Sequence, residues 1–351
     1  MSISCARPMI VIASLGVFWA LSGPTASAAV NGPACSAAAR YSAEHGGLSF
    51  LVLKGGKPIC EDYPNGGSVD RGNPIASGTK SFSGVMAAAA AQDGLLSLDE
   101  PAAKTLTEWA SDPLKAKVTL RQLLSLSSGL KQVPTGAPPS YAQAVGLPMT
   151  HEPGAVFEYS PAPYQVFGEI MKRKLKAAGR SEDPLAYLQA RVFDPIGLKL
   201  TGWGRTDGDP NLPSSAVLSA REWAKFGEFV RAKGVVGGKR IVDAATLQAL
   251  FKGSRANPGY GVTWWLPGKA GIIGSGGNGI DDNSQGLIPE ETLMAAGAGN
   301  QRLYIVPSKG LTIVRQQAII PRAQRREQVR AAGQTKKWSD AQFIELVLKP
   351  M

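Results

Sequence analysis

The sequence predicts an α+β fold in which an antiparallel sheet is built from both ends of the chain, flanked by helices, with a mostly helical lobe inserted between. Three observations carry this. Near the start, 48–54 and 59–63 read as two strands around the hairpin signal Gly55-Gly56-Lys57-Pro58. From Ser77 to about Leu250 the apolar pattern is mainly helical, broken by proline- and glycine-rich loops at 132–139 and 203–215. Strand patterns then return at 261–266, 293–296, 303–306 and 311–315. Residues 29–76 and 255–351 are therefore expected to form the α/β lobe and 77–254 the helical lobe of a single domain.

The first 28 residues read as a targeting segment. Arg7 supplies a short basic start, the apolar stretch 9–21 is too short to span a bilayer comfortably, and Ala26-Ser27-Ala28 is a cleavage signal. The mature chain would begin at Ala29 and be periplasmic or secreted; a retained membrane anchor is the competing reading. Cys5 goes with the leader, leaving Cys35 and Cys60. An even pair in an exported chain suggests a disulfide joining an N-terminal helix at 34–44 to the second hairpin strand. Two buried free thiols are the other reading. These cysteines with His45 and His151 cannot build a tetrahedral zinc site without carboxylates, so no metal centre is expected. The net charge is +11, with much of it in the run Arg322-Ala323-Gln324-Arg325-Arg326-Glu327. An exported protein meets no nucleic acid, so this reads as a solvated basic face, with weak contact to an anionic envelope as the alternative.

The segment Ile75-Ala76-Ser77-Gly78-Thr79-Lys80-Ser81-Phe82 places a serine and a lysine three residues apart. Gly72-Asn73-Pro74 forces a turn before it, and the apolar run 85–91 reads as a buried helix after it. Positions i and i+3 share a helix face, so Ser77 Oγ and Lys80 Nζ can meet. Free N–H groups at a helix start would favour negative charge developing there. This is the layout of a serine nucleophile activated by an amine. The pattern alone is weak, since Ser128-Gly129-Leu130-Lys131 repeats it in a glycine turn.

Farther on, Gly154-Ala155-Val156-Phe157-Glu158-Tyr159-Ser160-Pro161 delivers a short extended piece, followed by a helix from about Ala162. A tyrosine after Phe-Glu is more often core than catalyst. Beside Lys80, however, Tyr159 would form a coupled pair able to take the proton from Ser77. The stretch 271–291 is rich in glycine and acids and reads as a loop near the site mouth. Within it Gly274-Ser275-Gly276-Gly277-Asn278-Gly279 matches G-x-G-x-x-G, but no helix pattern follows, so a dinucleotide is not expected. Asp281, Asn283 and Gly286 echo a calcium loop, but Thr292 stands where the bidentate acid belongs. Ala295-Ala296-Gly297-Ala298-Gly299-Asn300-Gln301 ends a strand in small residues, which lets a substrate approach the backbone. Ser339 then caps a last helix at 339–348.

In this order the pieces resemble the serine β-lactamase and penicillin-recognising superfamily, in its class C-like branch with esterases and 6-aminohexanoate-oligomer hydrolases. The resemblance runs through IASGTKSF at 75–82, VTLRQLLSLSSGL at 118–130, FDPIGL at 193–198, LSAREWAKFG at 218–227 and YGVTWW at 260–265. It implies a β-lactamase-like fold and an exported serine hydrolase forming an acyl-enzyme on Ser77 from a small ester or amide, without a cofactor. It also implies proton transfer by Lys80 and Tyr159, an oxyanion hole from the backbone N–H groups of Ser77 and Ala298, and substrate contacts at Gly297, Gly299 and Gln301. Two departures stand out. Pro161 replaces the asparagine that ends the family's tyrosine motif, and Ala295 aligns where a lysine or histidine often begins its late strand. Both argue against an efficient β-lactamase. A β-lactamase or D-amino-acid carboxypeptidase, and a catalytically silent relative, are the alternatives. Oligomeric state is not legible.

Overall fold

The computed structural model describes Met1 and residues 33–269, 286–319 and 338–349. Beyond Met1 the expected leader, the G-x-G-x-x-G match, Asp281 and Asn283 of the calcium-loop echo and the basic run at 322–327 lie outside the described residues.

Helix α1 (Pro33–Glu44) leads into strands β1 (Gly47–Lys54) and β2 (Lys57–Asp62). The two-residue turn between them needs a left-handed backbone at both positions, and Gly55 and Gly56 supply it with φ of 57° and 82°. The helical region follows with α2 (Lys80–Gln92), α3 (Leu120–Leu124), α4 (Tyr141–Gly146), α5 (Ala162–Ala177), α6 (Pro184–Leu188), α7 (Ala220–Arg231) and α8 (Ala244–Gln248). Strands β3 (Leu293–Gly297), β4 (Gln301–Val306) and β5 (Leu311–Gln317) precede α9 (Asp340–Leu348), whose first turn is capped by Ser339.

The main sheet runs β3-β4-β5-β1-β2, antiparallel throughout. The join between the two chain ends is the β1–β5 pair, with Leu51 opposite Val314. β1 and β5 are buried along almost their whole length, as expected of strands covered on both faces. On one face α1 and α9 pack together, and Phe50 meets Phe343 edge-on at 5.7 Å. On the other, Gly227 lets α7 come so close that a Cβ there would stand 2.5 Å from Thr312 and 2.7 Å from Leu303. Helix α7 thus flanks the sheet, although its position in the chain had put it with the helical lobe.

Cys35 and Cys60 are joined in a disulfide, with Cα atoms 5.5 Å apart, which ties α1 to β2. The expected strand at 261–266 does not form. Gly261 N–H donates to Trp264 O at 2.8 Å and Thr263 adopts φ of 71°, so the segment doubles back. Only Trp265 reaches the sheet edge, exchanging hydrogen bonds with Met294 at 3.0 and 2.9 Å. Its apolar run reflects burial from all sides rather than a strand. Among the described residues no helix is long and apolar enough to cross a membrane.

Candidate active site

Ser77 lies in a 3-10 turn (Ala76–Thr79) that runs straight into α2. Several contacts hold this turn in place. Ile75 N–H donates to Ala216 O at 3.0 Å, and Thr79 Oγ1 donates to Ala76 O at 2.6 Å while accepting from Ala216 N–H at 3.2 Å. Ala76, just before the serine, has φ of 47°, a left-handed conformation that costs a non-glycine residue on the order of 1–3 kcal/mol. Gly78 is obligatory for another reason: a Cβ would sit 2.8 Å from the Trp223 ring.

One helical turn brings Lys80 back over the serine, with Nζ 3.2 Å from Ser77 Oγ. Nζ also donates to the carbonyl of Pro213 at 2.9 Å. It lies over two aromatic faces, 4.8 Å from the centroid of Tyr159 and 5.4 Å from that of Tyr164. The residue is 3 % exposed, and burial brings its ammonium down to a pKa of about 7. A lysine at neutral pH is then divided between the base and the cation. As a base it keeps a lone pair for the serine proton; as a cation it rests against the negative faces of two rings.

Tyr159 is buried and stacks on Trp265, with centroids 5.6 Å apart and planes 22° from parallel. Gln132 Nε2 donates to its carbonyl at 3.0 Å. Behind it Tyr164 and Tyr260 share a hydroxyl–hydroxyl bond of 2.8 Å, and Tyr164 also donates to Leu124 O at 3.1 Å. Burial pushes both of these phenols well above their ordinary pKa, so they stay protonated. Sequence reasoning missed Tyr164, Trp265 and the Pro213 carbonyl. The two aromatics could have been suspected from the YGVTWW landmark and from a buried helix start, whereas a main-chain carbonyl leaves no mark in a sequence.

The strand of small residues reaches the same place. β3 is the edge strand, and Gly297 comes so close to the Ser77 turn that a Cβ would lie 2.1 Å from Ile75 O and 3.1 Å from Gly78 N. Ala298 is exposed at the start of the turn to β4, in which Gly299 and Asn300 have φ of 75° and 52°. Gln301 departs from expectation. It is fully buried, donating through Nε2 to Gln317 O at 2.6 Å and accepting from Gln317 N–H at 3.1 Å, so its amide serves the sheet rather than a substrate. Ala295 is buried within β3. The second serine–lysine pair is not assembled: Ser128 is buried, accepting from Leu130 N–H at 3.4 Å, and Lys131 is exposed.

Comparison with known proteins bears on the family and the fold. A protein of Alkalihalophilus pseudofirmus, itself uncharacterised, is 26 % identical, covering 77 % of this chain and 83 % of its own length. Among solved structures, a candidate beta-lactamase from Bacteroides dorei superposes with a TM-score of 0.70 at 19 % identity, covering 90 % of this chain and 97 % of that one. A family VIII carboxylesterase superposes with a TM-score of 0.63 at 16 % identity, covering 90 % and 96 %. At such identities the structural likeness is one of fold. The family model described as Beta-lactamase matches residues 36–327. With a serine hydrolase fold, a serine–lysine pair in contact and most of its length within that match, the chain belongs to the Beta-lactamase family.

Proposed function

We propose that this serine hydrolase is exported and cleaves a small ester or amide through an acyl-enzyme on Ser77. The observation that carries the reading is the 3.2 Å approach of a buried lysine, depressed to about 7, to the serine hydroxyl. Neutral Lys80 takes the Ser77 proton as Oγ attacks the substrate carbonyl. The negative oxygen that develops is held by the backbone N–H groups of Ser77 and Ala298. The intermediate collapses, the leaving group takes a proton from the Lys80–Tyr159 pair, and water later releases the acyl group by the same route in reverse. Export is supported by the leader-like start and by the disulfide, a feature of oxidising compartments. Ala295 offers no cation for the carboxylate of a β-lactam, and Pro161 no amide, which favours an ester or amide over a β-lactam.

The test is a fluorophosphonate probe with a substrate panel of short-chain esters, amide oligomers, D-peptides and a chromogenic cephalosporin. Wild type should be labelled and should turn over esters or amides faster than the cephalosporin. Ser77→Ala should lose labelling and turnover, and Ser128→Ala should keep both. Labelling that persists in Ser77→Ala sinks the assignment.

A further inference from the structure

Behind the turn that carries Ala298 stand two buried arginines. Arg302 in β4 and Arg315 in β5 are directly opposite one another, and both are fully buried. Like charges paired across strands repel, and a cation out of water is costly. Asp340 of α9 answers Arg302, accepting from Nε at 2.8 Å and Nη2 at 3.3 Å. It also accepts from Trp338 Nε1 at 3.0 Å and from the Tyr304 hydroxyl. Arg315 is held chiefly by carbonyls, including His45 O at 2.7 Å, and lies 4.3 Å over the Trp338 ring. Burial, with Arg302 nearby, brings it down to about 9.

This expense falls where one turn needs donors. Arg302 Nη1 donates to Gly297 O at 3.2 Å and Gln301 O at 3.1 Å, and Arg315 Nη1 donates to Asn300 O at 2.9 Å. The carbonyl of Gly297 and the N–H of Ala298 belong to one planar peptide, whose oxygen and hydrogen leave opposite edges. A cation hydrogen-bonded to the oxygen draws electrons from the nitrogen and makes the N–H a stronger donor. We infer that Arg302, acting through the Gly297 carbonyl, positions and polarises the Gly297–Ala298 peptide so that its N–H holds the oxyanion of the reaction. This rests on the reading of Ala298 as an oxyanion donor given above. Arg302 itself touches no reacting atom; it is a positioning residue, and Arg315 anchors the far end of the same turn.

Three variants of the full chain test it. Ala298→Pro removes the N–H itself. Arg302→Met/Asp340→Asn removes the cation together with its own carboxylate and leaves Arg315 on its carbonyl partners. Arg302→Lys keeps the charge but cannot span both carbonyls and Asp340. Each is titrated for active sites with the fluorophosphonate, then measured for kcat, KM and affinity for a boronic acid, whose tetrahedral adduct mimics the oxyanion. In the double variant kcat per active site should fall about 10- to 100-fold, less than the loss typical of deleting an oxyanion donor outright. KM should stay within about threefold, since only the transition state loses an interaction. Boronate affinity should fall in parallel with kcat, and Arg302→Lys should be intermediate in both. A purely structural role would lower the number of active sites and leave kcat per site and boronate affinity alone. If Ala298→Pro is crippled while the double variant keeps wild-type kcat and boronate affinity, the inference about Arg302 is overturned and the oxyanion reading survives. If Ala298→Pro keeps wild-type kcat, both fall. Should the double variant not fold, Arg302→Lys decides, and wild-type values in it overturn the proposal.

Discussion

Burial sets the working state of Lys80. Its amine is depressed to about 7 by removal from water, with no carboxylate among the described residues drawing it back up. Two consequences follow with opposite practical signs. For catalysis, the proposed mechanism takes the neutral amine as the base, and on it kcat/KM should climb about tenfold per pH unit below 7 and level off above it, as expected for a single essential base. For stability, the folded pKa lies below the unfolded value near 10.5, so between roughly pH 7 and 10.5 the unfolded chain binds more protons. Stability from this group therefore rises with pH across that window, and the cost of burying the cation is full below it. Replacing Lys80 by methionine should abolish turnover yet raise stability at pH 6 by a few kcal/mol, with ~5 kcal/mol the ceiling for a fall from 10.5 to about 7. A pH–rate profile of wild type and urea melts of Lys80→Met at pH 6 and pH 10 check both. A profile flat from pH 5 to 8, or a variant less stable than wild type at pH 6, would show that the lysine is not the depressed base described here. The serine–lysine spacing was legible because helical geometry alone brings i and i+3 together. The Pro213 carbonyl was not, because any residue can supply one. Arg302 and Arg315 were not either, because an arginine in a strand pattern reads as solvent-facing until the covering helix is known.

At the scale of elements, the site is a meeting of one turn and one edge strand. The Ser77 turn is pinned by the extended segment around Ala216, and β3 lies against it with no room for a side chain at Gly297. Short apolar runs bounded by turn residues made β1, β2, β4 and β5 readable nearly to their ends, and a capping serine did the same for α9. The segment 261–266 was misread because uniform burial removes the alternation that tells strand from irregular chain. Nor does a glycine announce what it approaches. Gly297→Ala supplies the measurement: its methyl would meet Ile75 O at 2.1 Å, and backbone cannot rotate away as a side chain can. Overpacking of this kind costs ~1–3 kcal/mol. The strand must also move away from Ser77, so kcat should fall at least about tenfold, because an angstrom of misplacement is felt strongly at a reacting centre. Thermal melts and kcat on the preferred ester test the two effects together. An enzyme with wild-type melting temperature and kcat would mean that the close approach plays no part in the chemistry.

For the whole molecule, the consequence of building one sheet from both chain ends is that the site depends on the last helix. β1 pairs with β5, so residues separated by more than 250 positions in sequence must meet before either half is complete. α9 then covers the Phe50 face with Phe343, Ile344 and Val347, all buried, and supplies the carboxylate for Arg302. A chain ending at residue 337 would expose that face and leave a buried cation without its counter-ion, a change that alone costs several kcal/mol. Such a truncation is expected to yield no cooperative melt and no fluorophosphonate labelling. Because a truncation that misfolds entirely says little about coupling, Phe343→Ala is the finer probe. It should lower stability by ~3–5 kcal/mol, the usual cost of a buried phenylalanine. In a urea titration of Phe343→Ala, activity and far-UV circular dichroism should be lost together, since sheet, α9 and the Gly297 turn are linked through Arg302 and Asp340. If activity instead vanished well before the helical signal, the helical region would be holding its structure without the sheet. The active site would then be a junction between two separately stable parts rather than a product of one cooperative fold.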